Sequence, residues 1–154
     1  MHKDYIQVRV ENFSLAEEYL QLCAGNRQDG AVVTFVGLVR DFNQDATVES
    51  LFLEHYPAMT DKSLRGIIQD ARQRWNLGRI RLIHRVGNLT LGDQIVFVGV
   101  SARHRGDAFC ACEFIMDNLK ARAPFWKKEG TPSGDRWVEA RQTDQDKARW
   151  WATR

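Results

Sequence analysis

The sequence predicts an α+β fold in which helices pack on a mostly antiparallel sheet, with a small additional β subdomain. Several runs are rich in β-branched residues or alternate between apolar and polar side chains, as strands do. Two longer stretches instead repeat their apolar residues at the spacing of one helix face. The order is strand, strand, helix, strand, strand, helix, strand after a short N-terminal addition, which is typical of layered α+β domains.

The N-terminal addition covers residues 1–29 and combines one strand with one helix. An alternating run from Tyr5 to Val10 predicts the strand. The helix is expected over Leu15 to Cys23, with Ser14 as its N-cap and Glu17 in the capping-box position.

The clearest strand prediction is Ala31 to Arg40, because β-branched residues dominate it. Gly37 interrupts this run and indicates a bulge or a close approach of another part of the chain. A polar loop over 41–46 leads to an alternating strand, Val48 to His55.

The middle of the chain continues with one helix and two strands. An apolar stripe predicts the helix over Pro57 to Trp75. Strands are expected over Arg79 to Val86 and Asp93 to Ser101. His84 lies in the first of these, and a histidine within a strand is more often a satisfied core or edge residue than a catalytic one.

The stretch from Ser101 to Glu129 carries the most structured charge pattern. It predicts a helix that stops near Arg122, because the residue before Pro124 is biased away from helical geometry. Met116 and Lys120 are four residues apart and therefore neighbours on one face. A turn-rich connection over 130–135, a short strand over 136–141 and a polar tail follow; Trp150 and Trp151 are expected to fold back on the body or bind another chain.

Length and composition predict one cytoplasmic domain spanning residues 1–154, with 142–154 as its tail. Apolar residues make up 44% of the 154 residues, and the net charge of +2 disfavours nucleic-acid binding. No run approaches the ~18 apolar residues of a membrane helix. Three cysteines and four scattered histidines lack the spacing of a disulfide framework or a metal site, so no metal is expected. No dinucleotide or phosphate-loop fingerprint indicates a cofactor.

The candidate chemistry is cationic. Positive side chains occur at the ends of the predicted elements: Arg40, His104, Arg105, Lys120, Lys127, Lys128 and Arg141. Phe125 and Trp126 adjoin two of them, and aromatic walls raise the strength of charges in a pocket. This combination favours a site for a small phosphorylated or heterocyclic ligand. Ordinary solvated cations and a phosphate- or nucleotide-binding regulator remain alternatives.

Several motifs in one order resemble the large subunit of molybdopterin synthase. The resemblance covers about Gly30 to Arg141 and extends to Arg149 and Trp150, while residues 1–29 match only loosely. The motifs are Gly30–Gly37, Val39–Arg40, Leu53–Pro57, Ile83–Gly87, Gly92–Val98, His104–Arg105, Phe114–Asp117, Leu119–Lys120, Arg122–Glu129 and Gly134–Val138.

The resemblance implies an α/β hammerhead-like fold and a sulfurtransferase. Members of this family convert cyclic pyranopterin monophosphate to molybdopterin during molybdenum cofactor biosynthesis. Two sulfurs arrive as the thiocarboxylate on the C-terminal Gly-Gly of a small ubiquitin-like partner, so no catalytic cysteine is needed. The family forms a dimer of large subunits with a small subunit at each far end, a heterotetramer.

The resemblance also assigns residues. Lys120 and Lys127 match the pocket lysines expected to act as general acid and base. The substrate-binding set implied is Leu38, Val39, Arg40, His104, Arg105, Lys120, Lys127, Lys128 and Glu129. Phe35, Met116 and Arg141 match the pocket lining. The dimer would place His104, Arg105 and Arg141 in the neighbouring chain's site.

One position departs from the family pattern. Leu38 stands where many members carry a lysine, so a backbone contact there would persist and a side-chain contact would not. The main alternative is therefore a non-catalytic relative that keeps the fold and binds a phosphorylated ligand. Intact Arg40, Lys120 and Lys127 argue against it.

Overall fold

The computed structural model describes residues 4–43, 46–138 and 142–154. It confirms the α+β class, with helices packed against mostly antiparallel sheets. In chain order the elements are β1 (Asp4–Arg9), α1 (Leu15–Cys23), β2 (Ala31–Leu38), β3 (Phe42–Asn43), β4 (Ala46–Thr47), β5 (Ser50–His55), α2 (Pro57–Arg74), β6 (Leu77–Arg85), β7 (Gly87–Thr90), β8 (Gln94–Ala102), α3 (Arg105–Arg122), β9 (Phe125–Thr131), β10 (Gly134–Val138) and α4 (Gln142–Ala152).

The first sheet has the strand order β1-β6-β8-β2. β1 pairs with β6 in parallel, and the other two pairings are antiparallel. Helices α2 and α3 bury one face of this sheet in the main apolar core, to which Leu64, Ile67, Val98 and Ile115 contribute fully buried side chains. Such burial stabilises each of these side chains by roughly 1.5–3 kcal/mol.

The second sheet has the order β10-β9-β5-β7 and is antiparallel throughout its described pairings. A smaller apolar cluster supports it, with Leu51 and Leu53 from β5 and Leu89 from β7 buried. This sheet corresponds to the additional β subdomain that the sequence predicted. Its packing beside the first sheet creates the space in which the candidate site lies.

Two local signals in the N-terminal part of the chain behave as predicted. The amide of Glu17 donates to Ser14 Oγ at 3.3 Å, which caps α1. The pairing of β2 with β8 shifts register between Gly37 and Leu38. A Cβ atom on Gly37 would lie 2.8 Å from Val96 Cγ1, so the glycine permits both the irregularity and the close approach.

Three sequence predictions were wrong or incomplete. The sequence predicts no strand directly after Pro124, but this segment forms β9, which pairs with β5 on one edge and with β10 on the other. The last predicted strand begins earlier, at Gly134, and its predicted end at residues 139–141 lies outside the described residues. The polar loop over 41–46 contains the short β3–β4 pair, and its residues 44–45 are likewise not described.

The polar tail forms helix α4, which the sequence analysis left without structure. Trp151 explains its position, because this side chain is buried against Trp75 and Phe114 in edge-to-face contacts. Its indole Nε1 donates to Asp117 Oδ2 at 2.8 Å, which ties α4 to α3. The expectation that the tryptophan pair folds back on the body is confirmed for Trp151, whereas Trp150 stays half exposed.

Candidate active site

A cavity of about 450 Å³ lies where the end of β2, the last turn of α3 and the inner face of β9 meet. Residues of β5, β6 and β8 form its floor. Eight of the residues implied by the sequence resemblance line it: Phe35, Leu38, Val39, Arg40, Met116, Lys120, Lys127 and Glu129. Gly37, beside Leu38 in β2, lines it as well. Segments far apart in sequence therefore converge on one space.

Helix α3 delivers Met116 and Lys120 to this cavity. Their four-residue spacing places them one above the other, while Ile115 and Leu119 bury the adjoining face in the core. Lys120 occupies the last turn, where the negative end of the helix dipole favours a cation. The same lysine also lines a second cavity of about 490 Å³ beside Phe109 and Cys112, so its ammonium group stands between the two spaces.

Successive side chains of strand β9 point to opposite faces of its sheet. Lys127 and Glu129 line the cavity, whereas Lys128 lies on the opposite face. The Lys128 Nζ atom sits 5.4 Å from the centre of the Phe52 ring and 5.5 Å from that of Trp137. Lys128 is thus placed on the outer surface, apart from the two residues that flank it in sequence.

Glu129 is a buried carboxylate with a defined partner. It is only 3% exposed, and its Oε1 atom accepts hydrogen bonds from Arg136 Nη2 at 3.0 Å and Arg136 Nε at 3.2 Å. The two residues face each other in the pairing of β9 with β10. The Arg136 guanidinium compensates the negative charge of this carboxylate, as burial at the cavity wall requires.

The end of β2 supplies Arg40 through an anchored turn. The Val39 amide donates to the Asp93 carbonyl at 2.9 Å, and the Gly92 amide donates back to the Val39 carbonyl at 2.8 Å. Val39 is buried by this contact, while Arg40 and Leu38 remain exposed on the cavity rim. An exposed guanidinium on an anchored backbone suits recognition of an anionic ligand.

His84 is a cavity residue that the sequence analysis treated as structural. Its ring stacks on Phe125 with a centroid distance of 3.9 Å, and its Nδ1 atom lies 2.8 Å from the Arg85 carbonyl oxygen. Burial lowers the pKa of His84 to about 4, and the positive charges of Lys127, His55 and Lys120 act in the same direction against the hydrogen bond to Arg85. The available signal was the alternation of β6, which puts His84 on the same face as Ile80 and Leu82.

His104 and Arg105 lie elsewhere. They occupy the N-terminal end of α3, are exposed, and line neither of the two cavities described above. At 1.5 Å per residue, Arg105 is about 22 Å along the helix axis from Lys120. Arg141, the remaining predicted lining residue, lies outside the described residues.

The cysteines are separated from the main cavity. All three fall within the described ranges, and none lines it. Cys112 is buried, and that burial raises the pKa of its thiol to about 12, whereas Cys110, two residues away, is exposed. Among residues 4–43, 46–138 and 142–154 no group of three or more histidine, cysteine, aspartate or glutamate side chains could hold a metal ion.

Comparison with known proteins decides the family. The family model described as MoaE protein matches residues 8–122. The chain belongs to the MoaE family. A relative from Salmonella typhimurium named molybdopterin synthase catalytic subunit is 58% identical over 151 residues, covering 98% of this chain and 100% of the relative.

Solved structures of MoaE proteins share the fold. The molybdopterin biosynthesis MoaE protein from Burkholderia ambifaria superposes with a TM-score of 0.83 at 48% identity, covering 97% of this chain and 98% of that one. A complex of subunits 1 and 2 of molybdopterin-converting factor from Helicobacter pylori contains a chain with a TM-score of 0.70. That chain is 19% identical, with coverage of 91% and 92%, so it supports the fold alone.

Proposed function

We propose that the chain is the catalytic subunit of a molybdopterin synthase, a sulfurtransferase of molybdenum cofactor biosynthesis. It would convert cyclic pyranopterin monophosphate to molybdopterin by inserting two sulfurs. The observation that carries the proposal is the convergence of Arg40, Lys120 and Lys127 on one cavity in a member of the MoaE family. These side chains come from three separate elements, which argues against a chance run of surface cations.

The cavity suits the chemistry of such a substrate. A phosphate group carries negative charge and acceptor oxygens, for which the Arg40 guanidinium offers a planar set of donors. Lys120 and Lys127 are the proposed general acid and base, because both line the cavity and could lie within hydrogen-bonding reach of a reacting group there. Phe35 and Met116 supply apolar wall on which a heterocycle can rest.

Sulfur is proposed to come from a small ubiquitin-like partner with a C-terminal Gly-Gly thiocarboxylate. Gly-Gly carries no side chains, so such a tail could enter a narrow opening, and its thiocarboxylate anion would be attracted to the ammonium groups of Lys120 and Lys127. The Helicobacter pylori chain that shares this fold is part of a complex of subunits 1 and 2 of molybdopterin-converting factor, and by analogy we propose a protein partner for this chain. The location of Cys110 and Cys112 away from the cavity is consistent with a sulfur that the partner carries.

Homodimerisation is proposed to complete the site. His104 and Arg105 are exposed at the end of α3 opposite Lys120, about 22 Å along the helix axis from it, and are proposed to act in the cavity of a second copy instead of their own. Two large subunits with one small subunit at each far end would form a heterotetramer. Arg141 is assigned to the same shared site. Lys128 would then contribute through its backbone, because its side chain packs against Trp137 on the opposite face of β9. Leu38 would contribute at the cavity rim, where its side chain is exposed.

A single-turnover assay tests this function. The purified chain is mixed with the thiocarboxylated partner and cyclic pyranopterin monophosphate, and the dithiolene product is measured. The matched control is the same partner ending in an ordinary carboxylate, which must give no product. Product only with the thiocarboxylate would establish the synthase.

The other outcomes of that assay separate the alternatives. Partner binding without product would identify the non-catalytic relative, and Leu38→Lys would then be the first variant to test for recovered turnover. If neither binding nor product occurs, the proposed function is wrong.

None of the helices in the described ranges has the length and apolarity needed to cross a bilayer. Cytoplasmic residence stays a prediction.

A further inference from the structure

His84 is a buried residue with a hydrogen-bond partner at one ring nitrogen, Nδ1, and none at the other, Nε2, among the described residues. Nδ1 faces the Arg85 carbonyl at 2.8 Å, and a carbonyl oxygen accepts only, so Nδ1 carries the proton. In a neutral imidazole the other nitrogen, Nε2, then carries a lone pair. The hydrogen bond and the stack on Phe125 together hold the ring in one orientation.

Nε2 has no hydrogen-bond partner among the described residues, yet it is not sealed in the core. In those same ranges no fully buried side-chain nitrogen or oxygen lacks a partner. Since His84 is 5% exposed and lines the cavity, its open nitrogen keeps its small exposure toward that space. A lone pair at the wall of a ligand-sized cavity can accept a hydrogen bond from whatever occupies it.

The charge state of the ring reinforces this arrangement. With the pKa lowered to about 4 by burial and by the neighbouring positive charges, the imidazole is neutral near pH 7. A neutral ring at that pH is a weak base, which makes His84 a poor candidate for proton abstraction. The same neutrality keeps Nε2 available as an acceptor.

His84 is the one neutral side chain on the described cavity wall that can accept a strong hydrogen bond. Arg40, Lys120 and Lys127 can only donate hydrogen bonds. The other acceptor side chains on the described wall are carboxylates, Glu129 and Asp144, which would repel an anionic ligand. His84 offers acceptance without negative charge.

We propose that His84 is a ligand-binding residue whose Nε2 accepts a hydrogen bond from an N–H or O–H group of a heterocycle held beside Lys120 and Lys127. The proposal rests on the proposed function for the identity of that heterocycle, a pterin, which carries ring and exocyclic N–H donors. His84 would orient the pterin ring while the Arg40 guanidinium binds the phosphate. An enzyme that must build two C–S bonds at defined carbons gains from such orientation.

Two substitutions at this position separate binding from packing. His84→Phe keeps an aromatic ring to stack on Phe125 and removes the acceptor. His84→Gln restores an amide oxygen near the position of Nε2. The matched control is His55→Phe, since His55 lies 6.0 Å from the Phe125 ring, bonds Thr60 through Nδ1 and does not line the cavity.

The measurement is calorimetric affinity for cyclic pyranopterin monophosphate in the absence of the partner, with the melting temperature of each variant recorded alongside. His84→Phe is expected to weaken binding about tenfold or more, the loss typical of one hydrogen bond in a partly desolvated site. His84→Gln should recover most of that loss, and His55→Phe should bind like the wild type. In turnover assays the His84→Phe variant should show a raised KM with kcat little changed.

Two results would overturn the assignment. Wild-type affinity in a folded His84→Phe variant would mean that Nε2 contacts no ligand. Equal losses in the phenylalanine and glutamine variants would mean that an acceptor at the position of Nε2 does not account for the binding. A wild-type chain that does not bind the pterin would instead overturn the proposed function, so the two failures are distinguishable.

Discussion

The two ends of helix α3 both carry basic side chains, but only the C-terminal end contributes them to the main cavity. At the C-terminal end Lys120 faces a cavity with Met116, Lys127 and aromatic walls. At the N-terminal end His104 and Arg105 are exposed and line neither of the two cavities described above. About 22 Å of helix separates the two groups.

The difference teaches that matching residues to a family does not by itself place them in one pocket. A rigid 18-residue helix cannot bend its ends together, so His104 and Lys120 can act on one ligand only if two chains contribute. In a two-fold dimer each site receives what the other chain offers, because the contact is reciprocal. The proposal of a shared site is therefore open to direct tests at either end of the helix.

The largest effect is expected at the cavity end. Lys120→Ala should slow product formation by ~10²–10⁴-fold, the range that loss of a general acid or base produces. The fold should be unaffected, because the side chain is exposed. The assay is single turnover with the thiocarboxylated partner, and Lys62→Ala, on the exposed side of α2, is the matched control. Full activity in the Lys120 variant would remove that lysine from the mechanism.

The far end gives the next effect through complementation between chains. His104→Ala alone should be strongly impaired if the dimer shares its sites. Unfolding and refolding it in equal amounts with Lys120→Ala should restore about a quarter of wild-type activity, since half of the dimers are mixed and each has one intact site of two. No recovery in mixed dimers that are shown to form would contradict the sharing. Each variant refolded alone is the control.

The free energy of unfolding should depend on pH through His84, which lies at the cavity wall. Its pKa is lowered to about 4 in the folded chain from about 6.5 when unfolded, so the unfolded chain binds more protons between these values. The free energy of unfolding therefore rises with pH across this window. The contribution of His84 is fully present above pH 6.5 and is lost toward pH 4, an amount of about 3 kcal/mol.

Denaturant unfolding at several pH values measures that contribution. The wild type should lose more stability than His84→Gln as the pH falls from 6.5 to 4, because the variant lacks the titrating ring. Other groups titrate in both proteins, so the comparison isolates this position. Parallel pH profiles for the two proteins would show that the histidine is not buried in its neutral form.

The sequence predicted the main core well because its signals are local. Apolar periodicity located α2 within a residue, and Pro124 located the end of α3. The Ser14 cap and the Gly37 irregularity follow from side-chain chemistry at single positions. Strand β9 was missed because Phe125–Thr131 has lysines where a strand usually has apolar residues. It is a strand because β5 and β10 supply its hydrogen bonds, which is a tertiary effect.

The sequence likewise predicted only part of the candidate site. The cations that line the cavity could be named from motifs, but which face of β9 each lysine takes depends on a strand that was not predicted. Lys127 and Lys128 are adjacent in sequence and end on opposite sides. His84 was treated as structural because a histidine in a strand carries no motif. Its proposed role depends on residues that are distant in sequence. Phe125 stacks on its ring, and the charges of Lys120 and Lys127 help to lower its pKa.

The smallest effect is expected at the rim. Arg40→Ala should weaken binding of cyclic pyranopterin monophosphate by ~1.5–3 kcal/mol, the contribution of a charge-assisted hydrogen bond to phosphate. The effect should fall on affinity more than on the chemical step, because Arg40 lies on the exposed rim while Lys120 and Lys127 are the proposed acid and base. Arg65→Ala is the matched control, since it removes a guanidinium whose surface ion pair with Asp61 is worth little. Calorimetry on the isolated chain measures both. An unchanged affinity at position 40 would make that residue an ordinary solvated strand-end cation and leave the phosphate to the two lysines and to the far end of the second chain's α3.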